Sequence, residues 1–337
     1  MSKPDQVVDE PVGMTGLIPA SAPVSASLAL QQALLLPMKA TPYSASVMRQ
    51  NPTAFVFLID QSGSMGEPTH YRGQTCSKAE AVAQIVNQTL LELLLRSQKG
   101  DEIRHYYDVA LIGYGGAATA NLLWTGPWAN RPFLSPAELV QATTREEESV
   151  VERTIRDRVV RTTEKRPIWL EPVANYKTPM KSALVLAESL LQTWLQTHAG
   201  KDVYPPTVIN ITDGVATDAT HKDLLDCGDR IRQLHTIDGH VLLMNIHLSD
   251  EAGKSIQFPA HIRDLGDDPQ ARLLYDLSSE MPASYHSDIA GLFGLDQRSR
   301  YVGMCSNTDM DALVKFMNIG TPTQNNTAFV VNFRANG

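Results

Sequence analysis

The sequence predicts an α/β fold: a doubly wound, mainly parallel sheet covered by helices on both faces. Buried strands alternate with amphipathic helices along most of the 337 residues, which is the pattern of parallel sheets. The first strand contains five bulky apolar residues in a row without alternation, as expected for a strand buried on both faces. The predicted buried strands are 54–59, 107–114, 207–212, 241–246 and 301–304.

The helices are predicted from capping residues and from apolar positions at helical spacing. Ser77 and Glu80 form a capping box that begins a long helix after the first strand. A second helix begins at Thr178, which precedes a proline, and a third is capped by Asp218 or Thr220. A short helix at 272–277, a closing helix at 309–317, an antiparallel edge strand at 120–124 and a terminal edge strand at 327–333 complete the prediction.

Composition predicts three regions: an N-terminal extension at 1–49, an α/β domain at 50–319 and a tail at 320–337. The extension has acidic residues near its start, where a signal peptide would be basic, and its apolar run at 27–36 is too short to span a bilayer. We therefore expect a cytoplasmic protein. The three cysteines form no C-x-x-C pair, which favours reduced thiols.

Charge argues against two classes of partner. The net charge is −8 and the isoelectric point is about 5.6, so bulk attraction to nucleic acid or to an anionic membrane is not expected. No H-x-x-x-H pair lies on a predicted helix, so the sequence offers no scaffold for zinc catalysis.

A charged insert at about 144–166 interrupts the α/β alternation. Its acids and bases are nearly balanced. The favoured interpretation is a solvated helix with i,i+4 ion pairs. The alternative is a partner-facing insert near the functional site, whose Glu146, Glu147 or Glu148 could act as a built-in ligand.

Oxygen-bearing side chains follow the first buried strand directly. The run Phe55-Val56-Phe57-Leu58-Ile59 ends in Asp60-Gln61-Ser62-Gly63-Ser64, and ligands of open α/β sheets bind at the carboxyl ends of strands. Carboxylate and hydroxyl oxygens suit a hard cation such as Mg²⁺ better than zinc or copper. Neither the nucleophile elbow of serine hydrolases nor the glycine pattern of dinucleotide-binding folds is matched by the neighbouring residues.

Asp60-x-Ser62-x-Ser64 resembles the metal-ion-dependent adhesion site (MIDAS) of the von Willebrand factor A (vWA) family. That pattern also needs a threonine and an aspartate, which Thr178 and Asp213 match on the expected elements. The resemblance covers about residues 50–319 and implies the Rossmann-like vWA fold. It also implies a bound Mg²⁺, Mn²⁺ or Ca²⁺, and phrases such as Trp169-Leu170-Glu171-Pro172 look like a bacterial cytoplasmic branch. Tyr176-Lys177 departs from the glycines common before the threonine, and Lys177 could lie over the metal.

The resemblance implies a non-enzymatic module that binds an acidic residue of a protein partner through the metal. For the bacterial branch it also implies a stress, signalling or defence gene set with a phosphatase or a protein kinase as the partner. One alternative is a metal-dependent phosphoesterase, for which Glu67, His70 and Glu171 are the nearby candidate groups. Another is a scaffold whose site is vacant or self-ligated.

Overall fold

The computed structural model describes residues 34–320 except 72, 117–118, 156–157, 249–254, 299 and 308–309. Its centre is a seven-stranded sheet with the order β6-β7-β5-β4-β1-β2-β3. All neighbouring strands are parallel except β2/β3 and β6/β7, at the two edges. The strands are β1 (Thr53–Asp60), β2 (Tyr107–Gly115), β3 (Thr119–Leu122), β4 (Thr207–Thr212), β5 (Leu242–His247), β6 (Ile256–Gln257) and β7 (Met304–Ser306). The predicted α/β fold class is confirmed, with a second antiparallel edge strand, β6, that was not predicted.

Strand β1 is buried on both faces, as its unbroken apolar run predicts. Phe55, Phe57 and Ile59 belong to one hydrophobic cluster, and the alternate residues Val56 and Leu58 belong to the other. Because successive side chains of a strand point to opposite faces, the two clusters are the two layers between sheet and helices. The sheet therefore lies in the middle of a three-layer domain.

Helices cover both faces. The helices are α1 (Lys78–Ser97), α2 (Pro136–Gln141), α3 (Met180–Thr197), α4 (His221–Gln233), α5 (Pro269–Leu277), α6 (His286–Phe293) and α7 (Met310–Gly320). Helices α1, α2, α6 and α7 contribute buried residues to the first cluster, and α3, α4 and α5 to the second. The prediction missed α2 and α6. Within the described residues, no helix combines the length and apolar character needed to cross a bilayer.

Caps explain where the helices near the site begin. Ser77 and Glu80 form the predicted capping box of α1, and Thr220 with Asp223 forms the one that begins α4. Asp218 instead accepts hydrogen bonds from the backbone N–H groups of Lys181 and Ser182, at 3.1 and 2.9 Å. Asp218 thus provides acceptors for two N–H groups in the first turn of α3 that have no partner within the helix, and it connects that helix to the loop after β4.

The charged insert is a β-hairpin, so the favoured prediction of a helix is wrong. Arg145–Ile155 pairs antiparallel with Arg158–Ile168 in a two-stranded sheet of its own. Opposite charges meet across the strands at its base, where Lys165 Nζ lies 3.2 Å from Glu146 Oε2. We call this element the charged hairpin. A second hairpin, Pro68–Tyr71 with Gln74–Ser77, connects the loop after β1 to the start of α1.

The last parallel strand begins later than predicted. Tyr301 O accepts a hydrogen bond from Met281 N, and Gly303 N donates to Ser279 O, so 301–303 pairs with 279–281 before β7 begins at Met304. The edge strand expected at 327–333, and most of the N-terminal extension, lie outside the described residues. Leu34 packs on the second cluster, and its carbonyl lies 3.0 Å from His235 Nε2.

Candidate metal centre

The carboxyl ends of β1 and β4 lie side by side at the centre of the sheet. Strand order reverses between these two strands, and α/β sheets of this kind bind ligands in the crevice at that point. Strand β1 ends at Asp60, and β4 ends at Thr212, one residue before Asp213. Both carboxylates predicted from the sequence therefore lie at this crevice.

Asp60 is fixed by hydrogen bonds and buried. Its Oδ1 accepts from the backbone N–H of Ser62 at 2.8 Å, and its Oδ2 accepts from Thr212 Oγ1 at 2.6 Å. The residue is 1% exposed, and this burial raises its pKa from 3.8 to about 6, with the charge of Asp213 acting in the same direction. A buried carboxylate of this kind is stabilised by a nearby cation.

The loop after β1 brings two serines to Asp213. Residues Gly63–Gly66 form a single 3₁₀ turn, which places Ser62 Oγ 3.2 Å from Ser64 Oγ. Ser64 Oγ donates to Asp213 Oδ1 at 2.7 Å. The hydroxyls of the first loop and the carboxylate of the second therefore share one polar cluster, although 149 residues separate Ser64 from Asp213.

Thr178 joins this cluster from a third loop. Its N–H donates to Thr217 Oγ1, and Thr217 N donates back to Thr178 O, at 3.1 and 2.9 Å. A methyl group built on Gly214 would lie 3.3 Å from Thr178 Oγ1, 3.8 Å from Ser64 Oγ and 3.9 Å from Asp60 Oδ2. The oxygens of all three loops thus surround one small volume.

The donor set fits a hard divalent cation. It contains two carboxylates and three hydroxyls, all of them oxygen ligands, which Mg²⁺, Mn²⁺ and Ca²⁺ prefer. The polar cluster lies against buried strand ends, so a positive charge placed there would be weakly screened. The five residues predicted from the sequence, Asp60, Ser62, Ser64, Thr178 and Asp213, are the ones that the structure brings together.

Sequence reasoning missed a lysine at this cluster. Lys78, the first residue of α1, donates from Nζ to Asp213 Oδ2 at 3.0 Å and to Glu67 Oε2 at 2.9 Å. The sequence marked this position only as part of a helix start, because a contact across 135 residues leaves no local pattern. Lys177, the lysine expected over the metal, is exposed and forms no ion pair within the part of the chain that the structure describes.

The departure at Tyr176 has a structural counterpart. Tyr176 adopts φ 44°, a left-handed conformation that glycine takes without steric cost. Its neighbour Asn175 holds the loop in place, since Asn175 N donates to Gln61 O and Asn175 O accepts from Gly116 N. The tyrosine side chain is 88% exposed, so it stands in solvent beside the Gly63 turn.

Two of the three candidate catalytic groups lie near the cluster: Glu67 at its edge, beside Lys78, and Glu171 in a pocket that Asp60 also lines. Glu67 pairs with Lys78, Glu171 pairs with Arg145 at 2.8 Å, and His70 lies on an exposed position of the short hairpin before α1.

The insert glutamates lie away from the cluster. Glu147 and Glu148 line a cleft of about 210 Å³ against residues 84–91 of α1. At 1.5 Å per residue, this stretch lies roughly 9 to 20 Å along the helix from Lys78. Glu146 pairs with Lys165 on the opposite strand. The structure therefore does not place the proposed built-in ligand at the metal centre.

Comparisons with solved structures return partial likenesses. The chain is 16% identical to a von Willebrand factor type A protein from Catenulispora acidiphila, with TM-score 0.33 over 59% of this chain and 33% of the other. It is 16% identical to the vWF domain of the type V pili tip protein Mfa5 from Porphyromonas gingivalis, with TM-score 0.28 over 52% and 48%. It is 17% identical to an uncharacterized membrane spanning protein from Vibrio fischeri, with TM-score 0.24 over 67% and 85%.

The chain thus spans a third to about half the length of the first two. No protein-family model and no curated protein matches it.

Proposed function

We propose that this chain is a metal-dependent protein-interaction module of the vWA type. Asp60, Ser62, Ser64, Thr178 and Asp213 would hold a divalent cation, Mg²⁺ in the first place. The observation that carries the proposal is the convergence of oxygen side chains from three separate loops at the switch point of the sheet. Bound there, the cation would supply an open position for a carboxylate of a protein partner.

The surface around the site supports an interaction role. Tyr176 and Val215 are 88% and 62% exposed. Tyr176 lies two residues before Thr178, and Val215 lies two residues after Asp213. Aromatic residues such as Tyr176 are enriched at protein interfaces relative to the rest of the surface.

A cleft continues from the site on the Asp213 side. It has a volume of about 460 Å³ and is lined by Asp213, Val215, His221, His247, Asp268, Pro269 and Gln270. Gln270 Nε2 donates to Gly214 O at 2.8 Å, which connects this wall of the cleft to the loop after β4. The cleft gives room for the partner residues that flank an inserted acidic side chain.

A binding role is favoured over catalysis because two of the three candidate general bases, Glu67 and Glu171, are already held by a cationic side chain. A base that activates a nucleophile needs to reach it directly or through one water. That the partner is a phosphatase or a protein kinase stays a prediction.

Selection from a random peptide library displayed on phage tests the proposal with the full chain as bait, in Mg²⁺ and again in EDTA. We expect Mg²⁺-dependent peptides that share an Asp or a Glu and lose binding when that residue becomes Asn or Gln. Thr178→Val in the bait should abolish selection, and Thr193→Val, on an exposed turn of α3, should not. Peptides that bind equally in EDTA, or that tolerate the amide replacement, would refute a metal-bridged carboxylate.

A further inference from the structure

Lys78 carries a positive charge into the candidate metal centre. Its ammonium group lies 3.0 Å from Asp213 Oδ2 and 2.9 Å from Glu67 Oε2. The side chains of Lys78 and Asp213 are 4% and 0% exposed, whereas that of Glu67 is 56% exposed. The lysine and the aspartate therefore form a buried ion pair at the edge of the oxygen cluster.

Helix formation does not account for this lysine. A cation in the first turn of a helix is disfavoured by the helix dipole, and burial of an ammonium group costs free energy unless a counter-charge compensates. Both costs fall on Lys78, the first residue of α1. Its backbone N–H also donates to Glu67 O at 3.0 Å, so the residue is held at the site by its main chain and its side chain.

The two oxygens of Asp213 have different partners. Oδ1 accepts from Ser64 Oγ, and so faces the predicted metal ligands, while Oδ2 accepts from Lys78. A cation approaching Oδ1 meets a carboxylate whose charge is already offset, and it is repelled by the ammonium group at short range in a buried setting.

We propose that Lys78 is a resident counter-cation of the site that stabilises the metal-free protein and lowers its affinity for divalent cations. The proposal rests on the metal site proposed above and adds the residue that sets its affinity. The site binds metal in opposition to a charge that the chain itself supplies, so Lys78 fixes the cation concentration at which the module becomes competent for its partner.

Replacement of the lysine by methionine tests this, because Lys78→Met keeps an unbranched apolar side chain and removes the charge. Calorimetric titration of the full chain with Mg²⁺ and Mn²⁺ should give a dissociation constant lower than that of wild type by on the order of tenfold or more. In EDTA, the same variant should melt at a lower temperature, because Asp213 is left buried without its counter-charge. A lysine with only a structural role would lower the melting temperature without strengthening metal binding.

Two variants control for charge and folding. Lys222→Met removes the same charge from an exposed i,i+4 pair with Asp226 and should leave the metal affinity within about twofold of wild type. Lys78→Arg keeps the charge and should not strengthen binding. If Lys78→Met unfolds in EDTA, its helical circular dichroism should recover at Mn²⁺ concentrations below the wild-type dissociation constant, and recovery only above that concentration would count against the proposal.

The failure of this inference is distinct from failure of the metal site. Equal or weaker metal affinity in Lys78→Met, alongside wild-type binding that Asp213→Asn removes, would overturn the role of Lys78 and leave the metal site standing. Absence of binding in both wild type and Lys78→Met would overturn both proposals. Binding by Lys78→Met alone would be the strongest support.

Discussion

Replacement of the buried Asp60 by asparagine should stabilise the protein when divalent cations are removed. Burial raises the pKa of Asp60 from 3.8 to about 6. Because one pKa unit corresponds to about 1.4 kcal/mol, ionising this group costs the folded chain about 3 kcal/mol at pH 7. Asparagine has nearly the same shape and carries no charge, so this cost disappears.

The hydrogen bonds of Asp60 have replacements in the variant. The amide oxygen can still accept from Ser62 N, which now donates to Oδ1 at 2.8 Å. The amide nitrogen faces Thr212 Oγ1, whose hydroxyl can turn to donate to Gly214 O, 3.3 Å away. We therefore expect a net gain of about 2 kcal/mol, or a melting temperature higher by roughly 4 to 8 °C in EDTA at pH 7.5.

The pH dependence shows whether the Asp60 carboxylate stabilises or destabilises the folded protein. A folded-state pKa above the unfolded value means that the cost is absent below about pH 4 and complete above about pH 6. The wild-type protein in EDTA should therefore lose stability as the pH rises through this window, and Asp60→Asn should lack that contribution. The two proteins should converge at pH 4 and separate at pH 7.5.

Differential scanning calorimetry across this pH range measures both effects, with the exposed Asp226→Asn as the control. An Asp60→Asn variant that is less stable than wild type in EDTA at pH 7.5 would contradict the reasoning. It would mean that the carboxylate stabilises the fold by itself and gains nothing from a cation.

Three further outcomes are expected. The charged hairpin can be shortened by joining Glu148 to Lys165 through Asn-Gly, which keeps the strand register. This should change the melting temperature by only a few degrees, because the buried core lies elsewhere. A domain that unfolds would show that the hairpin belongs to the core. Gly115→Ala places a methyl group 2.6 Å from Gln61 O, so chemical denaturation should show a free energy of unfolding lower by about 1 to 3 kcal/mol. Metal binding should also weaken, because the loop after β1 has to move. An unchanged free energy of unfolding and metal affinity would mean that this loop moves without cost. The hydrogen bond to Asp108 raises the pKa of His105, so its stabilising contribution should be present below pH 6.5 and lost as the pH rises through the folded-state pKa. His105→Gln should remove this dependence, and a melting curve with the same pH profile as wild type would contradict it.

The parts of the fold that could be predicted are those in which burial shapes the sequence. Strands β1 and β4 are buried on both faces. The continuous apolar run of β1, and the apolar residues Val208, Ile209 and Ile211 of β4, predict the positions of the two strands and of the polar residues that follow them. The positions of Asp60, Ser62, Ser64 and Asp213 in the proposed metal site were predictable for the same reason, because they follow strand ends that the sheet brings together.

The charged hairpin was not predictable because the side chains described in it bury little apolar surface. Residues 145–148 are exposed, so burial does not impose the alternation of apolar and polar residues that marks a strand. Charges of opposite sign can form ion pairs along a helix as well as across two paired strands. Lys78 was missed for a different reason. Its partner Asp213 lies 135 residues away, and only the packing of α1 against the sheet brings the two charges together.

Calorimetric titration of Mg²⁺ and Mn²⁺ into the full chain tests the metal site most directly. We predict one binding event per chain in wild type. Asp213→Asn and Ser64→Ala should lose or greatly weaken it, because the first removes a negative charge from the cluster and the second removes a hydroxyl oxygen. Asp226→Asn, at an exposed position of α4, should bind as wild type does. Unchanged stoichiometry and affinity in Asp213→Asn would contradict the metal centre described here.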